Sequence, residues 1–212
     1  SGSRRFKSYL VHKGVDMKDR LTIELGDSID NIKIIKNFIR KEDIPVLIGY
    51  GGHIAYFKQY NKWPENMLVP PNVLDLIKSY EDKMINCAEI LYDKRLEKDR
   101  SMDFSYRLEG TEVQKHSDNV TSEFSDARQL DTATLTWSGH LSIIAYLNDS
   151  FSGGEICFPN QNYEYSPVCG DVIMFPGTDL YPHEVKKFYG DTRITMSIWT
   201  RFLDFTGEII NA

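Results

Sequence analysis

The second half of the chain is punctuated in a way that leaves few folds open. After residue 100, short apolar runs alternate with Gly, Pro, Asn and Asp, the pattern of strands closed by tight turns. Such runs fall at 103–108, 111–116, 134–137, 141–147, 155–158, 163–165, 171–174, 183–185 and 193–202. Strands this short and numerous suggest a sandwich or barrel. The first half reads differently. Residues 21–24 form a short β-type stretch, and 30–39, with Ile32, Ile34, Ile35, Phe38 and Ile39, fits either a strand or a helix. Residues 41–48 suggest a short helix with Pro45 near its first turn. The next stretch is rich in aromatics: Tyr50, Tyr56, Phe57, Tyr60 and Trp63, with Gly51-Gly52 between them. Val73, Ile77, Tyr80, Met84, Ala88 and Leu91 then recur at helical spacing and predict a long amphipathic helix over about 72–97.

Helices first and strands later give an α+β arrangement, with helices buttressing one sheet. We read one domain over 21–212, with helical support at 21–100 and a strand-rich core at 101–205. Residues 1–20 form a separate N-terminal segment, and its Ser1-Gly2-Ser3 start is read as a cloning scar. Of the 212 residues, 41% are hydrophobic and 26% charged, as in globular domains. A net charge of −6 argues against nucleic acid or an anionic membrane as partner. Three cysteines without a CxxC pair argue against a disulfide framework and for a reducing compartment. No apolar run approaches membrane-spanning length, and no signal-peptide core lies near the N-terminus. The expected location is therefore cytoplasmic, in a bacterial or virus-infected cell.

The chemistry gathers around His116-Ser117-Asp118, His183 and Arg193. Residues i and i+2 of a strand share a face, so His116 and Asp118 can both point into a barrel, with His183 arriving from another strand. Two imidazoles and a carboxylate occupy one face of an Fe(II) ion and leave the other face open. Zn²⁺ takes similar ligands but has no need of Arg193. Taken alone, His-x-Asp also fits a solvated surface pair, and His183 a strand-edge histidine. Arg193, Thr195, Ser197 and Trp199 alternate with Ile194, Met196 and Ile198, which predicts one polar inner face and one apolar outer face. An inward guanidinium without an anion is costly, whereas Tyr146 and Trp199 also fit as core aromatics. His140 shares strand parity with Tyr146 and reads as a core or rim residue. His12 and His53 are assigned no role, and Gly153-Gly154 reads as a turn or bulge.

Several segments together resemble the 2-oxoglutarate-dependent prolyl hydroxylases of the prolyl 4-hydroxylase family. They are Tyr146-Leu147-Asn148, Ser152-Gly153-Gly154-Glu155 through Pro159, Gly170-Asp171 through Pro176, and Tyr181-Pro182-His183 through Trp199. Tyr106, ten residues before His116, matches a family tyrosine that lines the co-substrate pocket. The resemblance runs from about 103 to 202 and implies a double-stranded β-helix (jelly-roll) with N-terminal supporting helices. It implies Fe(II) held by His116, Asp118 and His183 as the catalytic centre. It further implies 2-oxoglutarate chelating that metal and reaching Arg193, with O₂ as co-substrate and ascorbate as a further candidate. Tyr146 and Ser197 would bond the same carboxylate, Tyr106 would sit nearer the metal, and Trp199 would wall the pocket.

The reaction so implied is hydroxylation of a C–H bond coupled to oxidation of 2-oxoglutarate to succinate and CO₂. Its first-choice substrate is a prolyl residue in a peptide or protein. A free amino acid or other small molecule is an alternative substrate, and a non-catalytic jelly-roll binding module is an alternative class. Nucleobase-repair oxygenases carry a second arginine six residues after the first, where this chain has Trp199. The aromatic stretch 50–63 fits a substrate-groove wall or helix packing, and the polar stretch 119–133 fits a cover or a solvated loop.

Overall fold

A computed structural model describes residues 24–62, 69–99, 102–118 and 141–203. Strands β1 (Glu24–Leu25) and β2 (Lys33–Lys36) pair antiparallel. The ambiguous stretch 30–39 is thus a strand. The reason is burial on both faces: Ile35 enters one core and Ile34 another, which a half-exposed helix would not need. Helix α1 (Ile44–Tyr60) begins with Pro45 in its first turn and runs far beyond residue 48, so the aromatic stretch to Tyr60 is helical. Gly51 is what lets α1 lie close to the sheet, because a Cβ there would come 2.6 Å from Cδ1 of Phe104 and 3.0 Å from Cε2 of Tyr106.

Helix α2 (Pro71–Tyr92) ends earlier than its periodicity predicts. Asp93 adopts a left-handed conformation (φ 50°) and donates its N–H to the Glu89 carbonyl, which closes the helix. The Glu89 side chain then accepts the Leu96 N–H at 2.9 Å. Residues expected to extend the helix instead form β3 (Arg95–Lys98), with Leu96 buried. The stretch read as helical support therefore also gives three strands to the sheet.

The remaining strands are β4 (Asp103–Arg107), β5 (Val113–His116), β6 (Leu141–Tyr146), β7 (Ser152–Gly153), β8 (Ile156–Phe158), β9 (Tyr163–Tyr165), β10 (Val172–Pro176), β11 (His183–Val185), β12 (Phe188–Tyr189) and β13 (Arg193–Leu203). The predicted strand 134–137 lies outside the described residues. A larger sheet runs β1-β2-β10-β6-β13-β3, with β4 also paired to β13. A second sheet runs β5-β11-β8-β9, and β7 pairs with β12. Every described pairing is antiparallel. The architecture is the predicted double-stranded β-helix with two helices against one face. No described helix is long and apolar enough to cross a membrane.

Alternation along β6 and β13 divides the interior in two. Leu141, Ile143, Ala145, Met196 and Ile198 pack with Leu47 of α1 and with Tyr80, Met84 and Cys87 of α2. Tyr146, Ile173 and Phe175 of the larger sheet pack with Ile156, Phe158 and Tyr165 of the smaller one. Full burial of each such aliphatic or aromatic side chain contributes about 1.5–3 kcal/mol. Polar ties hold the layers in place. Buried Asp171 accepts from Lys36 Nζ at 2.7 Å, the Asn37 N–H at 2.9 Å and the Tyr165 hydroxyl at 2.6 Å, locking β2 and β9 onto the start of β10.

Asp43, at the start of α1, accepts the Tyr80 hydroxyl of α2 at 2.6 Å and Arg40 Nε at 2.8 Å. Burial opposes its charge, but the hydrogen bonds from Arg40 and Tyr80 outweigh burial and hold its carboxyl below the usual range. A carboxyl depressed on folding adds stability above its unfolded pKa, near 4, and loses it as pH falls through the lower folded value. Asp43→Asn is expected to lower unfolding free energy by about 2 kcal/mol at pH 7. The gap to wild type should narrow in urea melts taken toward pH 3. A gap independent of pH would show that the charge of Asp43 is irrelevant.

Candidate metal centre

The pairing of β11 with β5 sets His183 directly opposite His116. Directly opposed residues in an antiparallel pair share a face, and the two rings lie 4.3 Å apart between centroids. Asp118 follows two residues after His116 and turns the same way. Its Oδ1 is 3.6 Å from His116 Nε2 and its Oδ2 is 3.9 Å from His183 Nε2. One ligand atom from each residue falls within 4.8 Å of the others. Each imidazole has its Nδ1 against a carbonyl two residues earlier, His116 on Gln114 O at 2.8 Å and His183 on Tyr181 O at 3.3 Å. An Nδ1–H donated there leaves the Nε2 lone pair facing the third ligand.

Surrounding groups favour the ligating forms of Asp118 and His183. His183 is buried beside Phe175 and Phe158, with centroid distances of 4.6 and 5.7 Å. Burial lowers its pKa against the opposing pull of Asp118, so the ring is neutral at pH 7. The hydrogen bond with Asp118 raises the pKa of exposed His116. Burial works against ionisation of Asp118, but His116, His183 and Ser142 outweigh it and keep the carboxyl low. Metal ligation requires an anionic carboxylate and neutral imidazoles, and the metal displaces a proton from His116 where one is bound. Ser142, fully buried on β6, donates its hydroxyl to Asp118 Oδ2, and Ser117 donates to Asp179.

A polar strip continues along the inner face of β13. Trp199 stands opposite Ser142, Ser197 opposite Ile144 and Thr195 opposite Tyr146, with Arg193 beyond. The outward residues Ile194, Met196 and Ile198 join the helix-facing core, as the alternation predicts. Arg193 is 4% exposed, and its guanidinium carbon lies 5.2 Å from the centre of the Tyr146 ring. Arg193 Nε and the Tyr146 hydroxyl are both buried with no hydrogen-bond partner among the described residues. Among the described residues no carboxylate forms an ion pair with Arg193. A buried cation without an acidic partner among the described residues and a buried hydroxyl without a hydrogen bond fit an anionic ligand that satisfies both.

Tyr106 is a correction. It stands opposite Ile194, packs against the helix-facing core, and donates its hydroxyl to the Ile48 carbonyl of α1. It therefore lies on the other side of the larger sheet from the metal ligands. The alternation Asp103-Phe104-Ser105-Tyr106-Arg107 explains why: buried Phe104 commits Tyr106 to the helix side and Arg107 to the interior. The signal was present in the sequence, and it marks Arg107, which the motif-based reading passed over. Arg201, the arginine nearest the position expected in nucleobase-repair enzymes, is paired with Asp99. Gly153 and Gly154 have φ of 81° and 74°, and a Cβ on Gly153 would lie 2.4 Å from the Lys187 carbonyl, so the pair serves the close approach of β7 to β12. His140, Trp63 and 119–133 lie outside the described residues.

A jelly-roll carrying two histidines and one carboxylate, beside a buried cation without an anion, defines a non-haem iron oxygenase site. Residues 103–201 match the model of the 2OG-Fe(II) oxygenase superfamily. Fe(II) and 2-oxoglutarate are the metal and co-substrate of that superfamily, and the donor set of residues 103–201 fits both. No curated protein sequence matches the chain. Among solved structures, a viral collagen prolyl hydroxylase from Paramecium Bursaria Chlorella virus-1, in its 2OG complex, is similar with a TM-score of 0.56 and 19% identity, over 82% of this chain and 97% of that one. A Pseudomonas putida prolyl-4-hydroxylase gives 0.53 and 18%, over 80% and 87%. A Trichoplax adhaerens prolyl hydroxylase, in complex with a hypoxia inducible factor peptide fragment, gives 0.56 and 16%, over 80% and 83%. At these identities the likeness is one of fold.

Ser142 orients Asp118 and should set metal affinity. Ser142→Ala is expected to weaken Mn(II) binding, used as a redox-inert probe, about tenfold, whereas Ser142→Thr should stay within about threefold of wild type. Calorimetric titration checks this, and an unchanged affinity in the alanine variant would remove Ser142 from the site.

Proposed function

We propose that this chain hydroxylates prolyl residues in a peptide or protein, with His116, Asp118 and His183 as its iron ligands. The observation that carries the reading is a ligating triad and an unpartnered buried Arg193 on the inner faces of the same two sheets. With Fe(II), 2-oxoglutarate and O₂ bound, the centre would supply oxidative decarboxylation of 2-oxoglutarate to succinate and CO₂, one atom of O₂ entering succinate and the other a substrate C–H bond.

The chain's own residues do the positioning. His116 and His183 present Nε2, and Asp118 presents a carboxylate steadied by Ser142. Arg193 takes the distal carboxylate of 2-oxoglutarate, and the Tyr146 hydroxyl donates to it, which relieves both buried groups. Ser197 lies along the same strip and offers a further hydroxyl. Trp199, beside Ser142, closes the wall next to the metal and limits water there. The prolyl preference is supported by the family motifs over 103–202 and by the shared fold of the viral, bacterial and Trichoplax prolyl hydroxylases. A cytoplasmic location is supported by three unpaired cysteines, two of them buried.

Anaerobic addition of Fe(II) and 2-oxoglutarate should give a weak visible charge-transfer band, absent in His183→Ala. Arg193→Ala should raise the KM for 2-oxoglutarate about 100-fold, the scale of losing one partner of a buried charge pair. Wild type incubated aerobically with a panel of Pro-containing peptides should add 16 Da to proline. Absence of both the band and succinate would sink the enzymatic assignment. Hydroxylation confined to free amino acids would replace the peptide substrate with a small molecule.

A further inference from the structure

The inner face of β4 carries a cation that the triad and its anchor leave unexplained. Arg107 ends β4 and stands directly opposite Arg193 in the antiparallel register. Because Phe104 and Tyr106 turn toward α1, Asp103, Ser105 and Arg107 share the other face with Arg193, Thr195 and Ser197. Arg107 is half-buried. Among the described residues no carboxylate forms an ion pair with it, and Asp103, the acid on its own strand, is engaged by Lys58 of α1. Burial, and then the like charge of Arg193, both work against its protonated state, with only partial relief from Asp103.

Two guanidinium groups at one register position, one buried and one half-buried, with no acid paired to either among the described residues, cost stability unless an anion joins them. A carboxylate has two oxygens and about four lone-pair sites, enough to accept from both forks at once. We propose that Arg107 and Arg193 together grip the distal carboxylate of 2-oxoglutarate, which makes Arg107 a second determinant of co-substrate affinity and selectivity. This rests on the reading of the site given above. It goes further by dividing the co-substrate's recognition between two strands, β13 and β4. A keto acid without the second carboxylate then forgoes two cationic contacts.

The test uses the Mn(II)-loaded protein and calorimetric titration, so no turnover is needed. The ligands are 2-oxoglutarate and 2-oxopentanoate, which has the same keto-acid head but no distal carboxylate. Arg107→Gln should weaken 2-oxoglutarate binding about tenfold or more while changing 2-oxopentanoate by less than about twofold. Arg107→Lys should recover part of the loss. Equal weakening of both ligands would mean that Arg107 merely supports the fold, and the proposal would fall. Unchanged 2-oxoglutarate binding with a raised KM for acidic peptides would also overturn it, assigning Arg107 to the substrate. If folded wild type bound 2-oxopentanoate as tightly as 2-oxoglutarate, Arg193 itself would not be an anchor, and the site reading would fail together with this inference.

Discussion

The antiparallel register of β11 on β5 is the constraint on which the site depends. These are short strands, and β5 is the edge of its sheet. A slip of one residue would turn an imidazole to the opposite face and dissolve the triad. Several independent contacts prevent this. Lys186 N–H bonds the Glu155 carbonyl at 3.0 Å just beyond β11, and Gly110 N–H bonds the Phe188 carbonyl at 2.7 Å just before β5. Ser117 is tied to Asp179 in the segment that leads into β11. The packing of His183 against Phe158 and Phe175 gives its ring one place to sit. Ligand geometry is thus enforced by backbone pairing and aromatic packing, before any metal arrives.

β13 performs the complementary task. Its outward residues bind the sheet to α1 and α2, and its inward residues supply the pocket. Stability and chemistry are carried by alternate side chains of one strand, so a polar interior can exist without weakening the main core. The helices are essential to that division. Without Tyr80, Met84 and Cys87 over it, the outer face of β6 and β13 would be exposed apolar surface. Gly51 allows α1 to approach Phe104 closely enough to complete the cover.

What could be read from the chain follows from how local each signal is. The triad, Arg193 and the two faces of β13 were legible because strand alternation is a two-residue rule and the motifs stand in a fixed order. The end of α2 was not, because Asp93 stops the helix through a left-handed backbone turn while the apolar spacing continues past it. Residues 95–98 become a strand only because the far end of β13 offers an edge to pair with. β2 was ambiguous because burial on both faces erases the alternation that identifies strands. Tyr106 follows its parity with Phe104 rather than its spacing from His116. The family tyrosine and the strand's own alternation pointed in different directions, and packing against α1 and Ile194 decided between them.

Local rules are broken around Arg193, and the break has a direction. Elsewhere, buried Asp171 and Asp43 each accept from donors of neighbouring elements. Around Arg193 the opposite holds: a buried guanidinium, a second cation across the register and an orphaned tyrosine hydroxyl meet in one place. Such a cluster destabilises the folded chain on its own. An anion that binds there is therefore favoured by the release of repulsion as well as by new hydrogen bonds. Binding and folding become linked, and a saturating anion must raise stability by mass action. The strip from Arg193 through Thr195 and Ser197 to Trp199 leads toward Ser142, which holds Asp118. Electrostatic need at one end and metal ligation at the other thus fix the orientation of a ligand that has a carboxylate for the cations and a chelating group for the metal. 2-Oxoglutarate meets both requirements, and a monoanionic keto acid meets only one.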